Sequence, residues 1–234
     1  GSARSLDRGL TQTQSKLKGS AATFGNIGRT LGTVFAATAA VGIIKFGADA
    51  VAAFEDSQQA LLELQVAMRN SPAMIGATTK AFEEQASALQ LLTGFQDEEI
   101  IRADAVLTRF QLTQQQIEAA IPTVLDFART MGIDVPSAAT KVGKALLGNA
   151  RALKDVGIDY TRTGDSATDF ADILRLLDSR VGGAAEAFGQ TFPGGLAIAK
   201  VKMDEVKEAL GAKLVPVLSK FYALVQRLIP VLGL

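Results

Sequence analysis

Apolar positions in the first seventy residues recur at helical spacing. Leu10, Leu17, Phe24 and Leu31 fall seven apart, and a second row holds Leu6, Thr13, Ser20, Ile27, Val34 and Val41. The two rows alternate by four and three, as the a and d positions of a coiled coil do. Leu6, Leu10, Leu17, Phe24, Ile27, Leu31, Val34 and Val41 are therefore a candidate oligomerisation seam, weakened at Thr13 and Ser20. Gly25, Gly28, Gly32, Gly42 and Gly47 recur among many Ala. Each costs a helix about 1 kcal/mol relative to Ala, so several together point to close backbone approach of another helix. Gly28 and Gly32 have the four-residue spacing that permits it. A flexible Gly/Ala linker is the competing reading. Residues 30–44 carry no charge, but the stretch is shorter than the roughly 18–20 residues that span a bilayer.

The helical pattern continues over 48–69 through Val51, Phe54, Leu61, Leu64 and Met68, and Ser71-Pro72 ends it. A helix over about 77–92 stops at Gly94, and Asp97 is placed to cap the next. Thr113 and Gln116 form a capping box for a helix that runs to Met131, kinked by Pro122 and closed at Gly132. Punctuation then becomes dense. Asp134 or Ser137 opens a helix ending before Gly148, and a short one ends before Gly157. Asp165 or Ser166 caps a helix through Arg180 that Gly182-Gly183 stops. A turn is expected at Pro193-Gly194-Gly195. A long apolar helix follows over about 196–232, with Gly211 and Pro216 as the places it would break. Ile158-Asp159-Tyr160 is the one faint strand candidate. The pattern predicts an all-α chain. Residues 1–70 read as an extended, self-associating helical segment, and 71–234 as a compact domain of short Gly/Pro-punctuated helices with a long apolar C-terminal helix.

Composition narrows the chemistry. The 234 residues contain no Cys, His or Trp. That excludes disulfides, thiolate chemistry, Ser–His–Asp catalysis and the usual zinc sites. Charge balances at 24 against 24, which argues against a specific nucleic-acid partner. The balance is uneven, a mildly basic arm over 1–50 preceding a mildly acidic body. The chain opens Gly1-Ser2-Ala3 and ends inside an apolar pattern, so both ends read as cuts in a longer protein, or the start as a vector scar. No signal peptide is apparent.

The constellations that could carry chemistry are weak. Gly143-Lys144 fails as a phosphate loop: Ala138 stands where the first Gly is required, and Ala145 where Ser or Thr must follow. Asp165, Asp169, Asp172 and Asp178 lack the calcium-loop pattern and read as a solvated, ion-paired face with Arg175. Glu83-Glu84, Glu98-Glu99 and the Glu205, Glu208 pair could serve a glycosidase, yet aromatic sugar platforms are scarce. Tyr160, Arg162 and Arg151 are too few for a nucleic-acid surface. No catalytic residue, cofactor site or metal site is expected.

The stretch 138–231 resembles the conserved region of phage tail tape measure proteins. The resemblance rests on Ala138-Ala139-x-x-Val142-Gly143-Lys144-Ala145-Leu146 and Ala152-Leu153-Lys154-Asp155-Val156-Gly157-Ile158. Gly182-Gly183-Ala184-Ala185-Glu186-Ala187, Thr191, and Leu210-Gly211-Ala212-Lys213-Leu214-Val215-Pro216-Val217-Leu218 follow in the same order. Upstream, Phe46-Gly47-Ala48-Asp49-Ala50 through Phe54-Glu55-Asp56 is similar to the family's small-residue helix. The resemblance implies a non-enzymatic virion protein, in the lumen of the tail tube or at the tail tip and assembled in the host cytoplasm. Such a protein sets tail length, scaffolds the tube and leaves during genome ejection. Implied partners are further copies of itself (three or six), tail-tube and tail-tip proteins, assembly chaperones, and the host membrane in transient contact. A helix rises about 1.5 Å per residue, and Gly and Pro break 70–232 too often for a ruler's rod. A membrane-active, pore-forming or secreted helical protein is the alternative reading, on the strength of the small-residue helix over 30–53 and the apolar C-terminal helix.

Overall fold

The computed structural model describes residues 36–155 and 157–228. The chain divides into two units, Gly1–Ala48 and Asp49–Leu234. Of the seam and close-packing residues expected from sequence, Leu6, Leu10, Leu17, Phe24, Ile27, Gly28, Leu31, Gly32 and Val34 lie outside the described residues. Val41 falls inside the first described helix. The described residues are all helical, with no strand among them, in agreement with the expected all-α class.

Nine α-helices follow one another: α1 (Ala36–Arg69), α2 (Thr79–Thr93), α3 (Asp97–Arg109), α4 (Gln114–Met131), α5 (Val135–Leu146), α6 (Ala150–Asp155), α7 (Ser166–Val181), α8 (Ala184–Gly189) and α9 (Phe192–Leu228) among the described residues. A single 3₁₀ turn, Pro72–Met74, follows α1. The division drawn at residue 70 falls at the end of α1. The second unit, however, takes in this helix from Asp49 onward, because Ala60, Leu64 and Ala67 are buried in its core.

The core lies among α3, α4 and α5. Ile100, Ala103 and Leu107 stack along one face of α3, and Ile117, Ile121, Val124 and Ala128 along α4. Val135, Ala138, Ala139, Val142 and Ala145 do the same on α5. These are three- and four-residue spacings, the stripe a helix needs to bury one side. Each fully buried Ile, Leu or Val contributes roughly 1.5–3 kcal/mol.

Local signals set several helix ends. Thr113 Oγ1 accepts the Gln116 N–H while Gln116 Oε1 accepts the Thr113 N–H, the capping box expected from sequence. Asp134 and Asp165, each one of two candidates, cap α5 and α7 through the N–H groups of Ser137 and Thr168. Gly94 and Gly132 close α2 and α4 in the left-handed conformation.

Four expectations need correction. Asp97 is not a cap: Gln96 holds that position, and Asp97, Glu98 and Glu99 form the first turn of α3. Pro193-Gly194-Gly195 is not a turn but the start of α9. Thr191 Oγ1 accepts the Gly194 N–H, and Pro tolerates the first helical turn because it has no N–H to leave unpaired. α9 then runs unbroken through Gly211 and Pro216. Residues 158–160 form no strand.

Candidate interaction site

The motifs that carried potential chemistry fall on helices and corners. Gly143 sits inside α5, where a Cβ would lie 2.6 Å from the Phe110 ring, so its absence lets that ring rest on the helix backbone. Lys144 is exposed beside it. Glu84 pairs with Lys80 across one helical turn at 3.4 Å. Among the described residues no group of acidic side chains could hold a metal ion.

The aspartates of α7 divide between two environments. Asp172 forms the expected exposed pair with Arg175. Asp169 does not belong to a solvated face: its side chain is 2% exposed. The Tyr160 hydroxyl (2.9 Å), the Thr163 N–H (2.7 Å) and hydroxyl (2.7 Å), and Arg162 Nε (3.1 Å) all donate to it. The Thr163 donors, ahead of Tyr160 and Arg162, hold its carboxyl well below the usual carboxylate range. Tyr160 and Arg162 are thus parts of a carboxylate-centred corner that orders the 157–165 connection.

A second polar junction joins α4 to α8. Asp126 accepts the N–H groups of Gly183 and Ala185, both at 2.8 Å, and so caps α8 from another helix. One turn later the Arg129 guanidinium lies over two rings, 4.2 Å from the centroid of Phe95 and 3.8 Å from that of Phe188. Its Nη2 donates to the Thr93 carbonyl at 3.2 Å. Desolvation lowers the Arg129 pKa, but the group stays charged at any physiological pH. A cleft of about 150 Å³ opens beside this junction, lined by Leu89, Leu92, Pro122 and Asp126 among others.

Among the described residues, α9 exposes more large apolar side chains than any other helix. Its inner side buries Val201 and Gly211. A Cβ at Gly211 would overlap the Ala50 carbonyl, so the two helix backbones touch where α9 crosses α1. Its outer side exposes Leu196, Met203, Val206, Leu210 and Val217. These recur at three, four and seven residues, the spacing of one helix face. Lys200, Lys202, Lys213 and Lys220 are also exposed on this helix. Beyond the crossing, Val51 and Glu55 of α1 and Val215, Leu218 and Ser219 of α9 line an open groove of about 340 Å³.

Sequence reading missed three features: the Arg129 junction, the α1–α9 crossing, and a wholly buried Asp104 in α3. Neither carboxyl oxygen of Asp104 is hydrogen-bonded among the described residues, and burial raises its pKa well above the ordinary value. Asp104 does leave a trace in sequence, for it shares the helix face of Ile100, Ile101 and Leu107.

Compared with known proteins, the chain matches no family model, no curated protein and no solved structure.

Proposed function

We propose that this chain is a structural part of a phage tail tape measure protein, acting through helix association rather than catalysis. Two lines support the reading: the ordered motifs over 40–232, and a helical unit whose longest element, α9, presents Leu196, Met203, Val206, Leu210 and Val217 to solvent. The exposed apolar face of α9 carries the proposal, since a face of this kind gains stability by being covered. Its occupants in this reading are further copies, tail-tube and tail-tip proteins, or an assembly chaperone. The 70–228 region is a folded terminal element, and the length-setting rod lies elsewhere in the parent protein.

In-frame deletions in the parent gene test it. Removing rod residues shortens the tail by about 1.5 Å per residue. Removing the 71–228 segment stops tail assembly instead of shortening the tail. Normal tails of unchanged length after that deletion overturn the proposal.

A second reading, membrane activity, draws on the lysines that share α9 with its exposed apolar side chains. No helix among the described residues is long and apolar enough to cross a membrane. Dye release from anionic liposomes by the whole chain favours this reading; intact liposomes at micromolar protein count against it.

A further inference from the structure

Ile75 is 89% exposed, more than any other large apolar side chain among the described residues. It stands at the tip of the turn between α1 and α2, and that turn holds it there. Met74 beside it is buried and anchors the turn in the core. The Ile75 N–H donates to the Pro72 carbonyl (3.4 Å), and the Ala77 N–H to the Met74 carbonyl (3.0 Å). Gly76 supplies the left-handed φ of 85° at the reversal. Ser71 Oγ donates to Gln111 Oε1 at 3.2 Å, which ties the turn to the end of α3. The backbone that carries Ile75 is therefore ordered before a partner covers it. The charges around it have one sign. Residues 69–80 and 108–116 contain Arg69, Lys80 and Arg109 and no acid. Lys80 pairs with Glu84 one turn into α2, while Arg69 and Arg109 close α1 and α3.

The cleft at the other end of α2 is the counterpart of this tip. Leu89, Leu92, Pro122 and Leu125 contribute its apolar walls, and the charged residues lining it among the described ones, Asp126 and Glu186, are both acids. Asp126 is fixed by the N–H groups of Gly183 and Ala185, and Glu186 is exposed. At about 150 Å³ the space is smaller than the roughly 300–1,000 Å³ of a small-molecule pocket. It suits one branched apolar side chain, since a void of about this size holds a single benzene ring. α2 has 15 residues, so tip and cleft lie about 20 Å apart along it and cannot meet within one chain.

We infer that this cleft receives Ile75 of a second copy, so that copies join head to tail. The side chain fills the space among α2, α4 and α8, and Arg69 and Arg109 of the incoming turn come beside Asp126 and Glu186. Such a contact is heterologous. Each pair keeps one unused tip and one unused cleft, so growth passes beyond two copies into a chain or a ring. A twofold dimer of turn on turn would instead set arginine against arginine. The contact uses the two ends of α2 and not the outer face of α9, so it stands whatever covers that face.

The chain has no Cys, so introduced thiols read the contact without background. Thr78→Cys, three residues from Ile75, and Ala187→Cys, next to Glu186, are exposed positions that leave both surfaces intact. They lie at opposite ends of α2, too far apart for a disulfide within one chain. In the whole chain carrying both substitutions at high micromolar concentration, oxidised glutathione is expected to produce a ladder of dimers, trimers and longer products on a non-reducing gel. Adding Ile75→Asp, or Leu92→Asp on the cleft side, lowers the cross-linked yield by about tenfold or more. Both side chains are at least half exposed, so these variants keep the fold, which circular dichroism checks. A doubly substituted chain that stays monomeric, or a ladder undiminished by either aspartate, overturns the inference.

Discussion

The guanidinium of Arg129 lies over the Phe188 ring, 3.8 Å from its centroid, and 4.2 Å from the centroid of Phe95. This pairing fixes α8, a helix of only 6 residues, against α4. So short a helix has no stability of its own. Its position depends on this stacking and on the Asp126 cap.

Arg129→Leu is therefore expected to lower stability by roughly 1–3 kcal/mol, combining two lost cation–π contacts and the hydrogen bond to Thr93. Arg129→Lys retains the charge but not the planar stack, so it recovers less than half of the loss. Urea denaturation of both variants measures the difference. Equal stability of native chain and Leu variant excludes an energetic role for the stack.

Asp104 makes stability depend on pH in the direction opposite to an ion-paired acid. Its folded-state pKa is raised, whereas the unfolded chain ionises near 4. The folded state therefore keeps its proton longer. Stability is fully present below pH of about 4 and falls as pH rises, by up to about 1.4 kcal/mol per unit for this one group. Asp104→Asn should flatten that slope between pH 4 and 7. Denaturation curves at several pH values report it, and a slope as steep as the native one counts against the assignment.

Gly211 and Gly195 lie on the same helix and should respond to Ala in opposite directions. At Gly195 a new Cβ meets open space, and the gain in helix propensity raises stability by up to about 1 kcal/mol. At Gly211 it meets the Ala50 backbone, which cannot give way as a flexible side chain would. The crossing must open, at a cost of roughly 1–3 kcal/mol that outweighs the same propensity gain. Thermal melts of the two variants provide the comparison.

The Asp169 corner predicts a proteolytic outcome. By removing the one carboxylate that accepts from four donors, Asp169→Ala should free the 157–165 connection and expose Arg162 to trypsin, while α3–α5 remain resistant. The cleavage rate at Arg162 relative to Lys144 serves as the readout. Acid should act in the same direction. The Asp169 pKa is depressed, so its contribution is present above about pH 4 and is lost only well below it.

Features that depend on neighbours in the chain were legible in the residues themselves. Thr113 and Gln116 close a capping box because both partners lie within one turn, and Gly94 and Gly132 end helices because a left-handed residue is needed at once. Features decided by distant partners were not. Gly211 has the composition of a break, but Ala50 makes it a point of backbone contact. Asp169 resembles any exposed helix acid until the 157–165 connection folds back over it. Pro193 reads as a turn unless Thr191 is seen to cap the helix it begins. The interaction surface was half legible. The apolar character of α9 stands in its composition, but which side remains uncovered depends on where α1, α2 and α8 meet it.

Pro216 has a mechanical effect on α9. Lacking an N–H, it leaves the Ala212 carbonyl without its helical donor, one residue beyond the Gly211 contact. The helix is thus clamped on one side of residue 212 and has its weakest bending stiffness on the other. Whatever seats itself on Leu214, Val217 and Leu218 can flex that distal segment like a sprung arm, leaving the clamped half undisturbed.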